Sequence, residues 1–268
     1  MTFYDFGMLR RVLLFALLAL LPALAGCPVF QSQNTPVDQF QLTDASAKKD
    51  YWLYVPSYYT PDRRWPLVVT LHGTYLFDSP DDQIKEWKAL AEKEGFIVVA
   101  PPLRSVQGVL PTLPALFRSD LATDEKTILN CVKDVRRRYS IHPRGILLTG
   151  FSAGGYPMYY VGLRHPEIFS GMVARGCNSS DWVFEHASVS PSTQEMPVVI
   201  LWGRGDFGPI AGQSNAAVRW FREHQFIKTE DHTTAGGHMR IPEAAWEHWK
   251  PHLPAEMRLP RQEYMDIE

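Results

Sequence analysis

The chain has 268 residues, 45% of them hydrophobic and 21% charged, with a formal net charge of −2. This is the composition of an ordinary globular protein, long enough for one large α/β domain or two small ones. The near-neutral balance excludes an electrostatic case for nucleic acid, since the one basic triplet, Arg136-Arg137-Arg138, closes a predicted helix where cations suit the dipole.

Arg10-Arg11 precede an apolar run over residues 12–21, which leads into Leu24-Ala25-Gly26-Cys27. A positive start, a short apolar stretch and small residues form the signal-peptide pattern, and the run is too short for a membrane span. Leu-Ala-Gly-Cys closely resembles a bacterial lipobox. That resemblance implies that residues 1–26 are a signal peptide and that Cys27 is the acylated first residue of the mature protein. The competing reading is a plain signal peptide with an incidental cysteine, and Met8 is an alternative start to Met1. Residues 27–38, polar and proline-containing, read as a tether, and residues 39–268 as one domain. Cys131 and Cys177 show neither Cys-x-x-Cys nor metal-ligand spacing. An oxidising compartment would permit them to pair, but both also suit small buried apolar positions, and they are read as unpaired.

In chain order, residues 39–42 and 51–55 alternate weakly and read as an antiparallel pair at a sheet edge. Residues 66–71 are an unbroken apolar run, as expected of a strand covered on both faces, and they end in His72-Gly73-Thr74. Helical spacing over 84–94 stops at Gly95, and 96–100 is another buried strand. Residues 103–121 contain prolines and large apolar residues without period and read as a long loop or short cap. Asp124 and Glu125 suit the first turn of a helix ending at Arg138. Further strands are expected over 145–149, 171–174, 197–201 and 227–229. Helices are expected over 157–164, 216–224 and 244–252, and 176–194 reads as loop. Strands alternating with helices imply a mostly parallel sheet covered on both faces.

The informative stretch is Gly150-Phe151-Ser152-Ala153-Gly154, set between a predicted strand and a predicted helix. In that context Gly-x-Ser-x-Gly is the nucleophile elbow. Serine at the tip of so sharp a turn needs tiny neighbours at two before and two after, which Gly150 and Gly154 supply. Such a serine needs a neutral imidazole as base and a carboxylate to orient it, and catalytic groups of open α/β sheets sit at the carboxyl ends of strands. Asp206, after the penultimate strand, and His238, in the Gly-rich loop after the last one, satisfy this in the order Ser, acid, His. Asp181 is the alternative acid and His232 the alternative base. The histidines at 142, 165, 186, 224, 248 and 252 read as solvated. The oxyanion requires two backbone amides. Ala153 supplies one, and Thr74, after the glycine of the His72-Gly73 loop, the other. His72 reads as a structural residue beneath that loop. Tyr75, Trp182 and Phe207 flank these positions and are expected to line an apolar acyl or aryl cleft.

Leu71-His72-Gly73, the elbow with Gly155, Asp206 with Pro209, and Gly237-His238 together resemble the α/β-hydrolase superfamily, most closely its exported polyhydroxybutyrate depolymerase and feruloyl esterase group. The resemblance covers roughly residues 49–251. It implies an α/β-hydrolase fold with about eight mostly parallel strands, little or no lid, and a Ser-Asp-His esterase. Group members often carry Gly or Cys directly after His-Gly, where this chain has Thr74-Tyr75. The expected function is an extracytoplasmic, lipid-anchored serine hydrolase of small or polymeric carboxylic esters, working through an acyl-enzyme with no cofactor and no metal. The alternatives are a peptidase of the same fold and an inactive, hydrolase-like binding lipoprotein.

Overall fold

Six of the strands end on one side of a sheet, and that shared edge is what the rest of the chain positions. The structure, a computed structural model, describes residues 40–44, 49–108 and 114–258, all within one unit, Ser32–Glu268. The expected signal peptide, Cys27, the tether and the choice of start lie outside the described residues. No helix among the described residues is long and apolar enough to cross a membrane.

The strands are β1 (Phe40–Thr43), β2 (Asp50–Tyr54), β3 (Trp65–Leu71), β4 (Ile97–Ala100), β5 (Ile141–Phe151), β6 (Gly171–Arg175), β7 (Val198–Gly203) and β8 (Thr229–Thr234). They form one eight-stranded sheet in the order β1-β2-β4-β3-β5-β6-β7-β8. As expected, β1 and β2 are the antiparallel edge, and the six strands β3 to β8 run parallel. The helices are α1 (Pro80–Glu94), α2 (Pro114–Arg138), α3 (Gly155–Gly162), α4 (Asp181–Glu185), α5 (Pro191–Gln194), α6 (Gly208–Glu223) and α7 (Pro242–Trp249).

Strand residues alternate between two cores because successive side chains point to opposite faces. Val69, Leu71, Leu148, Ala174 and Ile200 pack with Ile128 and Val132 of α2, Met158 of α3 and Phe221 of α6. Val68, Leu147, Val173 and Val199 pack on the other face with Trp87 of α1 and Trp246 and Trp249 of α7. Each Val, Leu or Ile enclosed in this way contributes about 1.5–3 kcal/mol. Burial on both faces explains why β3 to β7 show as plain apolar runs.

Several expectations are corrected: β5 starts at Ile141 rather than residue 145, and the stretch 176–194 read as loop contains α4 and α5. Helix α1 starts at Pro80 rather than residue 84. Ser79 caps it, accepting from the Asp82 N–H, and proline occupies the first turn. Helix α2 starts at Pro114, inside the stretch read as loop, so Asp124 lies mid-helix and not in a first turn. There it is buried and accepts the N–H groups of Arg104 and Ser105 at 2.7 and 2.9 Å, which fixes the loop after β4. Helix α6 starts at Gly208, and not at residue 216. Strand β8 covers 229–234 rather than 227–229. It is a half-buried edge strand of polar residues, which an apolar pattern does not reveal.

Candidate active site

Strand β5 runs into a 3-10 turn, Ser152–Gly154, and then α3. Ser152 sits at φ 51°, in the left-handed region, where a non-glycine residue costs about 1–3 kcal/mol unless its surroundings enforce it. The surroundings do enforce it. A Cβ on Gly150 would come within 2.6 Å of the Gly154 carbonyl oxygen, and one on Gly154 within 2.5 Å of that of Leu71. These are the two positions that the elbow pattern requires to be small. The loop after β3 crosses directly over the serine, since a Cβ on Gly73 would stand 3.1 Å from Ser152 Cβ. Thr74 and Ala153 therefore flank Ser152 from two segments.

The proposed acid and base meet. His238 Nδ1 lies 2.9 Å from Asp206 Oδ1, and both side chains are almost fully buried, 4% and 1% exposed. Asp206 Oδ1 also accepts the Phe207 N–H at 2.8 Å, which aims the carboxylate. The imidazole is held between rings. Phe151, the residue before the nucleophile, stacks on it at 4.7 Å, and Phe207 lies tilted at 5.2 Å. Gly176, at φ 54° just past β6, makes room for the pair, because a Cβ there would meet Asp206 Oδ2 at 3.0 Å and His238 Nδ1 at 3.1 Å. Loops after β3, β5, β6, β7 and β8 thus converge at the carboxyl edge of the sheet.

The alternatives are engaged elsewhere. Asp181 is exposed at the start of α4. His232 faces Glu230 at 3.1 Å and stacks on His248 at 3.8 Å. His72 is structural, as expected. It is fully buried, its Nδ1 lies 2.8 Å from the Gly73 carbonyl, and its Nε2 accepts the Leu103 N–H at 3.3 Å. Burial holds its pKa below the ordinary histidine range. Cys131 and Cys177 are free and buried. Burial pushes the Cys177 thiol up to about 12, so it is a neutral donor to the Gly150 carbonyl at 3.1 Å and no competing nucleophile.

Of the expected cleft residues, Tyr75 and Phe207 are exposed, 56% and 52%. Trp182 is half-buried, stacked on Tyr160 at 5.9 Å and edge-on to Phe117, with the Arg118 guanidinium over its ring at 5.1 Å. Phe117 in turn meets Tyr156, four residues past Ser152, at 5.2 Å. An aromatic wall therefore leads from the nucleophile helix to Trp182.

Sequence reasoning missed the buried polar layer beneath the site. Asp78 Oδ2 accepts the Gly73 N–H at 2.7 Å and that of the Gln83 amide at 2.9 Å, and its Oδ1 pairs with Arg240 at 3.1 Å. Arg175, fully buried at the end of β6, donates to Glu86 at 2.6 Å, to Thr70, Thr149 and Gln83, and to the Arg240 carbonyl. Burial raises the Glu86 carboxyl above its usual range, and the two guanidiniums oppose this. The network ties the His72-Gly73-Thr74 loop to the loop bearing His238. The signal was present in Arg175, a charge closing an otherwise apolar strand.

One expected result follows from Asp78. Asp78→Ala leaves the Gly73 N–H without its acceptor and removes one of the two carboxylates that Arg240 faces, Glu86 being the other. Breaking a buried pair destabilises by about 3–5 kcal/mol, and a displaced oxyanion loop lowers kcat roughly a hundredfold. Thermal unfolding and the separate values of kcat and KM report the two effects. Asp78→Asn keeps an acceptor for Gly73 and should recover most of kcat. A folded Asp78→Ala variant with normal kcat would show that the loop does not depend on this contact.

The sheet order, the elbow after β5 and the helices on both faces define the α/β-hydrolase fold. Comparison with known proteins agrees. No family model matches the chain. A bifunctional acetylxylan esterase/xylanase of Neocallimastix patriciarum is 27% identical over 117 residues, 44% of this chain, and the chain spans only 16% of that protein's length. Among solved structures, a ferulic acid esterase of Anaeromyces mucronatus in complex with ferulic acid superposes with a TM-score of 0.56 at 15% identity, covering 82% of this chain and 92% of that one. Esterase PE8 superposes with a TM-score of 0.56 at 19% identity, covering 81% of this chain and all of that one. At these identities the structural likeness is one of fold alone.

Proposed function

We propose that the chain is a serine hydrolase of carboxylic esters that works through an acyl-enzyme. The observation that carries this reading is the buried His238–Asp206 pair packed against Phe151, next to a serine held at φ 51°. Ser152 Oγ attacks the ester carbonyl while His238 Nε2 takes its proton. Asp206 holds the imidazole in the required tautomer and stabilises the imidazolium. The oxyanion accepts from the N–H groups of Ala153 and Thr74. The tetrahedral intermediate expels the alcohol, which takes the proton from His238. Water, deprotonated by the same histidine, then attacks the acyl-serine, and the collapsing intermediate releases the acid as His238 returns the proton to Ser152 Oγ. The relatives named above are esterases of acetylxylan and ferulic acid, which favours acetyl and feruloyl esters as the first substrates to try. The test is turnover of p-nitrophenyl acetate and methyl ferulate beside aminopeptidase substrates. Hydrolysis of the esters alone supports the reading. Hydrolysis of peptides alone, or of nothing, overturns it in favour of a peptidase or a binding protein.

The Tyr75, Trp182 and Phe207 rings are proposed to receive the acyl or aryl group. On Trp182→Ala, kcat/KM for aryl or long-chain esters should fall by roughly 10- to 200-fold, the range for lost apolar contacts, with acetyl esters nearly untouched. Equal loss on every substrate with a lowered Tm would mean that Trp182 only packs against its neighbours.

The proposed site of action is an exported membrane face, with Cys27 as the lipid anchor. Leu24-Ala25-Gly26-Cys27 supports this reading. Metabolic labelling with a fatty acid should mark the protein and be lost in Cys27→Ser. Label retained by that variant contradicts it.

A further inference from the structure

Strand β8 and helix α7 stand on either side of the loop that carries His238. Glu230 and His232, two apart on a strand, share a face, while Asp231 between them pairs with Arg222 of α6. The face with Glu230 and His232 meets His248 in the last turn of α7, and His252 follows four residues later. The two imidazoles of His232 and His248 stack at 3.8 Å, although each has a solvent-facing rim to turn toward. Both also approach one carboxylate oxygen. Glu230 Oε2 lies 3.1 Å from His232 Nε2 and 3.8 Å from His248 Nδ1. On the other oxygen, Glu230 Oε1 is 3.5 Å from His252 Nε2, a buried atom with no hydrogen-bond partner. His232, the alternative base of the sequence reading, and His248 and His252, read there as solvated, are therefore gathered around a single acid.

The separations suit a metal. Zinc bonded to imidazole nitrogen and carboxylate oxygen at about 2.0–2.2 Å in a tetrahedron sets its donor atoms about 3.4 Å apart. The donor atoms of Glu230, His232 and His248 all lie within 4.8 Å of one another, so small side-chain rotations close the shell. Two imidazoles with a carboxylate are a borderline donor set that favours zinc-class ions over calcium or magnesium. All four side chains are partly exposed, between 22% and 41%, which leaves an entry path. The cluster is remote from the ester chemistry: His232 pairs with Leu201 within the sheet, whereas His238 lies beyond the strand's end.

We propose that Glu230, His232 and His248, with His252 as the fourth ligand, bind one divalent zinc-class ion that staples β8 to α7. The ion is structural. It fixes the two elements that bracket the His238 loop and takes no part in the reaction at Ser152.

The test uses the full chain without an affinity tag, stripped with a chelator and titrated with zinc chloride. One ion per chain should bind. At free zinc a hundred times Kd, the melting temperature should rise by roughly 5–10 °C, as one-site linkage gives for a chain of this size. Cobalt(II) should give the intense visible bands of tetrahedral coordination. His232→Gln/His248→Gln should weaken zinc binding at least about a hundredfold and abolish the rise in Tm. Absence of stoichiometric binding, or binding unchanged in the double variant, overturns the proposal. Weak octahedral cobalt bands in the unsubstituted protein overturn it too, a readout that does not depend on the variant folding.

Discussion

Ser152→Ala is expected to lower kcat on a short p-nitrophenyl ester roughly a millionfold, the scale seen when a serine nucleophile is removed from such a triad. The residual rate would come from the oxyanion donors and substrate binding, which the substitution leaves in place. KM should change little, because Ser152 Oγ contributes to the reaction and hardly to ground-state binding. Stability should also change little. Alanine meets the same strain at φ 51° as serine does, and Gly150, Gly154 and Gly73 still enclose the turn. Steady-state kinetics with a burst control for contaminating esterase check this. Activity above about one part in a thousand that persists after further purification would mean that another group attacks the ester.

The second large effect concerns Asp206. Asp206→Asn should lower kcat by about ten-thousand-fold. The carboxylate accepts from His238 Nδ1 at 2.9 Å and from the Phe207 N–H at 2.8 Å. An asparagine keeps the shape, but its amide offers Nδ1 a donor instead of an acceptor. The imidazole then carries its proton on Nε2, where it cannot take one from Ser152. Gly176 and the flanking Phe151 and Phe207 rings keep the geometry, so loss of rate without loss of Tm is the expected signature. Asp181→Asn, at the exposed start of α4, should change kcat by less than about twofold. The reverse ranking of the two variants would exchange the acid.

How much of this was legible depends on how local each signal is. The elbow is a five-residue steric requirement, so Gly150 and Gly154 betray it without any knowledge of the fold. Strands β3 to β7 are buried on both faces and announce themselves as apolar runs. Asp206 and His238 are far apart in sequence, and chain order relative to Ser152 picked them out. The polar layer was not legible in this way. Asp78, Glu86, Arg175 and Arg240 come from four segments, and each alone reads as a surface charge until the sheet brings them together. Strand β8 failed for a related reason, since Thr-Glu-Asp-His-Thr-Thr pairs through its backbone with β7 at the sheet edge and needs few apolar side chains. Its Glu230 and His232 gain meaning only when α7 folds back to place His248 beside them. Helix α2 looks shorter in the sequence than it is, because prolines mask a start that Pro114 itself permits.

The most direct test of the central claim is covalent. The purified chain is treated with a serine-directed fluorophosphonate, and the site of attachment is located by peptide mass spectrometry. One phosphonyl group per chain on Ser152, formed in step with loss of ester hydrolysis and absent from His238→Ala, is the predicted result. Attachment to another residue, or full esterase activity after Ser152 has been labelled, would contradict it.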